Sequence, residues 1–354
     1  MSLRVGNWVQ VRSPAEILST LDERGCSDGL PFMPQQLDRC GKRFQVRKRA
    51  HKLCDTVNGT GARRMKDAVF LDDAPCDGRV QGGCEMECPI VWKEAWLRPI
   101  VSPDTNEEEA TENTGSGAVA RLQQLVYENT QPLDKQNGTG GAFYSCQATQ
   151  MPHATSWLSA WDLRQYAEDF KSGNAGLGEI ISVLFLLIYD TVANAGIGLG
   201  SAMRWCYDMV QKLRGAPPYP CRPGRLSGQA RTPSLRLNLR PGDFVKVRSH
   251  AEILETVRED LVNRGMSFHP DMVRHCGHNF RVDKSLSRLI NEKTGQVIEL
   301  KNECVVLEGA RCGGRFTKPL LCPRGMSPYW REIWLERTDS NRTLAPHVNP
   351  AKND

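Results

Sequence analysis

Apolar positions in the first hundred residues come in short runs, rich in branched and aromatic side chains and separated by Gly, Pro, Asn or Asp. The runs around Trp8-Val9-Gln10-Val11, FQVRK, AVFLDD and WKEAWL are strand-like. FRVDK, VIEL, CVVLEG and REIWLE, near the other end, read the same way. After the first run, Ser13-Pro14-Ala15-Glu16 supplies an N-cap, a proline at the first helical position and an acidic first turn, which predicts a short helix through ILSTL. Strand alternation places both indoles and the central carboxylate of Trp-x-Glu-x-Trp on one strand face. Glu94 and Glu332 are therefore candidate acid/base groups, against a plainer reading in which the tryptophans close a barrel and each glutamate pairs with an arginine.

Between residues 118 and 214 the period turns helical. AVARLQQLVYEN is followed by TSWLSAWDLRQYAEDFKSGN, which puts Trp157, Trp161 and Phe170 near one helix face and ends on Gly173-Asn174. The apolar run from Ile180 approaches membrane-spanning length, but Asp190 and Asn194 interrupt it, so a helix buried between two modules is expected. Membrane association through residues 180–203 is the alternative. Gly196-x-Gly198-x-Gly200 follows a helical segment, not a strand, and carries no nucleotide signal.

The two ends repeat one another. GNWVQVRSPAEILSTL from Gly6 returns as GDFVKVRSHAEILETV from Gly242, and the same shift superposes Phe32-x-Pro34 on Phe268-x-Pro270, Cys40-Gly41 on Cys276-Gly277 and Cys76-x-Gly78 on Cys312-x-Gly314. Two extra residues precede Cys322, the counterpart of Cys84, and WKEAWL then matches WREIWL. The predicted class is α+β: two homologous small β modules, SH3-like barrels in the first instance and split α+β sheets in the second, flanking a helical insert. The partition is a first module with a cysteine cluster at 1–100, an acidic linker at 101–117, the insert at 118–214, a Pro/Gly/Arg-rich connector at 215–240, a second module at 241–340 and a polar tail at 341–354.

Composition narrows the chemistry. A net charge of +5 is too small for a dedicated nucleic-acid binder. No apolar signal segment opens the chain, so a reducing, cytoplasmic compartment is expected, where thirteen cysteines read as thiols, ligands or a nucleophile rather than a disulfide framework. CDGRVQGGCEMEC, residues 76–88, concentrates three of them beside a Gly82-Gly83 turn. Soft thiolates converging from turns suit zinc or an iron–sulfur cluster, which spacing does not distinguish. The candidate ligands are Cys54, Cys76, Cys84 and Cys88, with His51 and Cys146 as further possibilities; plain packing and a disulfide are the competing readings. Cys54 and Cys88 have no cysteine counterpart in the second copy, which favours the first module as the site. Cys40, Cys276, Cys304 and Cys312 fit the core. His269, His275 and His278 form a weaker ligand group read as a solvated loop, and KRFQVRKRAHK a wet cationic strand face.

LPFMP, CGKRFQVRKRAHKLCD, CDG-x3-GGC-x3-C, YSCQAT, WDLRQYAEDFKSGN and CPRGMSPYWREIWLER together resemble a largely uncharacterised bacterial family encoded among biosynthetic genes. The resemblance spans nearly the whole chain and implies specialised metabolism; its members often carry His where this chain has Gln81. The leading expectation is a metal- or iron–sulfur-binding protein, in redox form a biosynthetic oxidoreductase acting on a small-molecule or carrier-bound substrate. The alternatives are a non-catalytic SH3-like adaptor for a peptide, carrier protein or RNA, and a membrane-associated assembly factor.

Overall fold

The fold is that of a computed structural model, which describes residues 2–59, 61–102, 116–130, 142–227, 231–317 and 319–338. It is mixed α/β, with several small antiparallel sheets and helices concentrated in the middle of the chain. Two compact units divide it: Met1–Ile180 with Arg288–Glu299 and Lys318–Arg324, and Ile181–Ser287 with Leu300–Thr317 and Gly325–Asp354.

In the first unit a five-stranded sheet runs in the order Val91–Lys93, Ala68–Leu71, Arg43–Arg49, Trp8–Val11, Leu97–Ile100. Ser13 caps the helix Pro14–Leu18 through its side chain, and Glu16 returns the bond to the Ser13 amide at 2.9 Å, the reciprocal pair that the sequence specifies. A three-stranded sheet joins Lys52–Cys54 and Ala62–Arg64 to Ser156–Leu158. Residues 156–158 are thus strand rather than helix, because Trp157 pairs with Arg63 across an edge, and the helix starts only at Arg164. Trp157, Trp161 and Phe170 are all exposed and do not form a buried helix face. Gly173 ends that helix at φ +78, the left-handed stop a glycine permits.

The other five-stranded sheet is ordered Tyr329–Arg331, Val297–Leu307, Asn279–Ile290, Phe244–Val247, Leu335–Arg337. Each of the two sheets is antiparallel where its register is defined, and each has a 3-10 turn between its two last strands in sequence, at Glu94–Trp96 and Glu332–Trp334. That turn corrects the reading of Trp-x-Glu-x-Trp as one strand face: the strand stops before the glutamate, and the next residues coil so that both indoles enter the core. Trp92, Trp96, Trp330 and Trp334 are fully buried. In one core Phe32 meets Trp92 and Trp96 edge-on at 6.3 and 5.1 Å; in the other Phe268 meets Trp330 and Trp334 at 6.4 and 5.4 Å.

The acidic stretch expected as a linker lies mostly outside the described residues, as does the tail from 341; the helix Ser116–Thr130 begins just before the expected boundary. The apolar run forms two helices, Leu177–Ala193 and Gly200–Leu213. They are not wrapped in protein as expected, since Ile181, Phe185, Ile188 and Trp205 are each more than half exposed. Among the described residues no helix is long and apolar enough to cross a membrane. The basic strand also departs from simple alternation: its register shifts between Val46 and Lys48, which turns Arg49 inward to ion pairs with Glu94 and with Glu168 at 2.8 Å.

Phe32→Ala removes the ring on which two buried indoles pack and is expected to lower stability by about 3–5 kcal/mol. Phe268→Ala is expected to cost a similar amount, with calorimetric unfolding of the full chain as the measurement.

Candidate functional site

The cysteine segment of the first unit is a tightly turned loop. Its ends are tied where the Cys76 amide donates to the Cys88 carbonyl at 2.9 Å. Between them the amides of Gln81 and Gly83 both donate to the Gly78 carbonyl at 3.0 Å. Only glycine fits at position 78: φ is +64, and a Cβ there would lie 1.8 Å from the Cys84 carbonyl oxygen. Gly82, also at φ +64, lets the loop pass against Tyr144, whose ring a Cβ would meet at 2.6 Å.

A second element arrives from the helix Gln147–Ala154, whose N-cap is Cys146. Gln147 ties this helix to the sheet, accepting from the Val91 amide at 2.8 Å and donating to the Val91 carbonyl at 2.9 Å. Cys76, Cys84, Cys88 and Cys146 thereby line one small cavity of about 40 Å³, with Met33, Met151 and Ile290 as apolar wall and Arg324 as its cation. Gln81, 1 % exposed, also faces it, and its Nε2 makes no hydrogen bond.

Three of the four sulfurs face backbone amides two residues ahead. The Gly78 amide donates to Cys76, the Met86 amide to Cys84, and the amides of Ala148 and Thr149 to Cys146. Ile290 adds a second amide to Cys84. Burial still dominates: it pushes Cys76 up to about 12 and raises Cys84, Cys88 and Cys146, with Arg324 opposing the rise at Cys88. Metal-free, these four are protonated thiols at neutral pH.

Cys54 does not join them. It ends the strand Lys52–Cys54 and hydrogen-bonds to Cys322 and to the Arg324 guanidinium. The hydrogen bond from Cys322 outweighs burial, Arg324 adds to it, and the Cys54 thiol falls to about 6. His51 is also elsewhere, buried with Nε2 at 3.2 Å from the Gln165 carbonyl and 3.3 Å from Asp169. Of the expected ligands the structure therefore gathers Cys76, Cys84, Cys88 and Cys146, and leaves Cys54 and His51 outside. All thirteen cysteines are thiols, not disulfides. Among the described residues no three His, Cys, Asp or Glu side chains form a ready-made metal-ligand group.

The candidate acid/base groups have structural partners. Glu94 is paired with Arg49 and accepts from the Leu3 amide at 3.2 Å. Glu332, in the second unit, is buried and takes the amides of Leu237, Asn238 and Leu239 at 2.5, 3.1 and 2.8 Å. Both contacts of Glu94 fall on Oε1, whereas Glu332 has both carboxylate oxygens engaged by amides. His275 is buried against the Arg311 carbonyl at 3.2 Å, not in a solvated loop.

Sequence reasoning missed Cys322 and Arg324 as partners of the first module. Arg324 is 3 % exposed, donates to the Thr56 hydroxyl at 3.2 Å and stands 3.9 Å from Glu292. The two-residue insertion before Cys322 and the Cys-Pro-Arg that follows were the available signal.

A thiol is ionised above its pKa, so at pH 7 Cys54 is mostly thiolate, whereas Cys26, Cys40, Cys76 and Cys276, pushed up to between about 11 and 12, are not. Iodoacetamide is expected to label Cys54 ahead of those four at pH 7, and to lose that preference as pH falls through about 6. Cys322→Ser changes the hydrogen-bond donor and should move the labelling midpoint, read by peptide mass spectrometry across a pH series.

The chain matches no protein-family model and no curated protein.

Proposed function

We propose that the first unit is a metal-binding module that holds one zinc ion on Cys76, Cys84, Cys88 and Cys146. The observation that carries this reading is the set of backbone amides aimed at three of the four sulfurs. An amide directed at sulfur stabilises a thiolate far more than a neutral thiol, and turns that present such amides are the usual surroundings of metal-bound cysteines. The cavity has room for one ion, which favours zinc over a four-iron cluster. A zinc ion with four thiolates carries two net negative charges, and the buried Arg324 guanidinium on the cavity wall offsets part of them. Four protein ligands close the coordination shell, so the ion ties the 76–88 loop to the start of the helix at Cys146 rather than activating a substrate.

A second reading fits beside it. The shared strand order of the two five-stranded sheets, with a 3-10 turn before the last strand of each, supports a pair of SH3-like modules arisen by duplication. Such a pair favours a non-catalytic adaptor of bacterial specialised metabolism whose zinc is structural. The second unit carries a separate cavity of about 800 Å³, lined by Phe185, Tyr189, Tyr207, Arg274 and Arg315, of a size to take a ligand or a partner's side chains.

Zinc displaces protons from thiols that burial holds above their ordinary range, so affinity should fall as pH drops. The full chain purified from zinc-supplemented cells is expected to contain about one zinc per chain and no visible chromophore. Cys84→Ser and Cys146→Ser should each lower the zinc content and the melting temperature. Iron with acid-labile sulfide would replace the ion by a cluster, and a metal-free protein with unchanged melting on zinc addition would sink the proposal.

A further inference from the structure

We propose that Cys54 and Cys322 form a second, separate centre: a thiol–disulfide couple in which Cys54 is the nucleophile, Cys322 the resolving thiol and Arg324 the positioning residue, with a small hydroperoxide as oxidant.

The argument starts from geometry. Cys54 and Cys322 lie 268 positions apart in sequence and meet sulfur to sulfur in hydrogen-bond contact inside one compact unit. The Arg324 guanidinium bonds to the Cys54 sulfur and is itself anchored to Thr56, two residues beyond it. The cation is thus fixed to the same hairpin that carries the thiol. That hairpin is well pinned: Cys54 pairs with Ala62, and Asp55 takes the amides of Val57 and Asn58 at 3.1 and 2.8 Å. The partner side is less regular. Cys322 follows Leu321, which sits at φ +57, a conformation costly for a branched side chain and concentrated at working sites in proteins.

The electrostatics agree with the geometry. Hydrogen bonding from Cys322 and the charge of Arg324 favour the thiolate of Cys54, the form that attacks. Among the zinc-site thiols Cys76, Cys84 and Cys146 face neutral amides, and Arg324 opposes the rise at Cys88 without overcoming burial; all four are raised. Access selects the oxidant. Cys54 is half-buried and Cys322 buried, which suits the couple to a small oxidant rather than a bulky disulfide.

The chemistry balances. The Cys54 thiolate attacks the distal oxygen of R–O–O–H, giving Cys54–S–O–H and an alkoxide that takes a proton from solvent. The Cys322 thiol then attacks the Cys54 sulfur, forming the S–S bond and releasing water. Two thiols lose two electrons and one O–O bond is reduced. A small-molecule thiol of the glutathione class returns the pair by exchange.

The experiment uses the full chain as purified, treated with one equivalent of hydrogen peroxide, quenched by alkylation and mapped by mass spectrometry. A Cys54–Cys322 cross-linked peptide is expected, reversed by glutathione. Cys322→Ser should instead leave a dimedone-trappable sulfenic acid on Cys54, and Arg324→Lys should slow oxidation about tenfold or more. Cys54 remaining unmodified while other cysteines oxidise, or linking to any other cysteine, overturns the proposal; the wild-type map alone decides this if Arg324→Lys fails to fold. Zinc content measured on the same samples separates the two centres: Cys54→Ser should leave it unchanged, and absence of zinc with the cross-link intact removes the metal reading alone.

Discussion

A guanidinium buried among sulfur atoms is the constraint on which the site depends. Moving a cation out of water costs several kcal/mol even after the protein relaxes around it. Arg324 is 3 % exposed, its Nε makes no hydrogen bond, and its carboxylate neighbour Glu292 is 3.9 Å away. Burial acts against the charged arginine; Glu292 and the ionised Cys54 help to hold it, and Cys88 adds to that balance only once its proton is lost. The arginine and the sulfurs are therefore one electrostatic unit: an apolar side chain at 324 would leave Cys54 with only the Cys322 hydrogen bond against burial, and would remove the counter-charge of the proposed zinc–thiolate group.

The polypeptide has to bring five stretches together to build that unit; the 76–88 loop, the approach to Cys146 and residues 288–299 are held by backbone bonds, and residues 322–324 through the Arg324 side chain. The 76–88 loop closes on its own carbonyls, with Gly78 pressed against Cys84 so closely that no other residue fits. The Glu85 amide reaches the Arg288 carbonyl at 3.0 Å, and the Tyr144 amide reaches the Gly295 carbonyl at 2.8 Å. Those bonds carry residues 288–299 to the loop and to the approach of Cys146. Amide–carbonyl pairs of this kind contribute modestly one by one, and several together make the arrangement stiff. Stiffness is what a cavity of one ion's size requires.

Much of the scaffold was legible in the sequence, because the signals were local. Ser13-Pro14-Ala15-Glu16 names a capped helix by itself, and the strand runs AVFLDD and FQVRK need only period and punctuation. The failures came where a neighbour in space overrides a local pattern. Residues 156–158 read as helix until an edge strand at Ala62–Arg64 claims them, and Trp-x-Glu-x-Trp reads as strand until the core demands both indoles. At the site the density of cysteines in 76–88 was a sound guide to three of the four cavity thiols. The fourth cavity thiol is Cys146 and not Cys54; both are distant in sequence and equal in chemistry, and only the tertiary path tells them apart.

That substitution of Cys146 for Cys54 separates two ways of making sulfur negative. Around the cavity the means are amide dipoles, partial charges too weak to ionise a buried thiol by themselves, so on the proposed reading ionisation would come with the zinc ion that displaces the proton. At Cys54 the means are a full positive charge and a donor thiol, enough to ionise the sulfur with no metal at all. An ion placed at Cys54 would have to share its space with the Arg324 guanidinium, and like charges at contact distance oppose it. The same arginine thus disfavours a cation on one side, where it touches sulfur directly, and would offset the charge of the proposed zinc–thiolate group on the other, where it stands on the cavity wall. On the proposed reading, one buried charge and one donor thiol divide these six cysteines into four metal ligands and a redox pair.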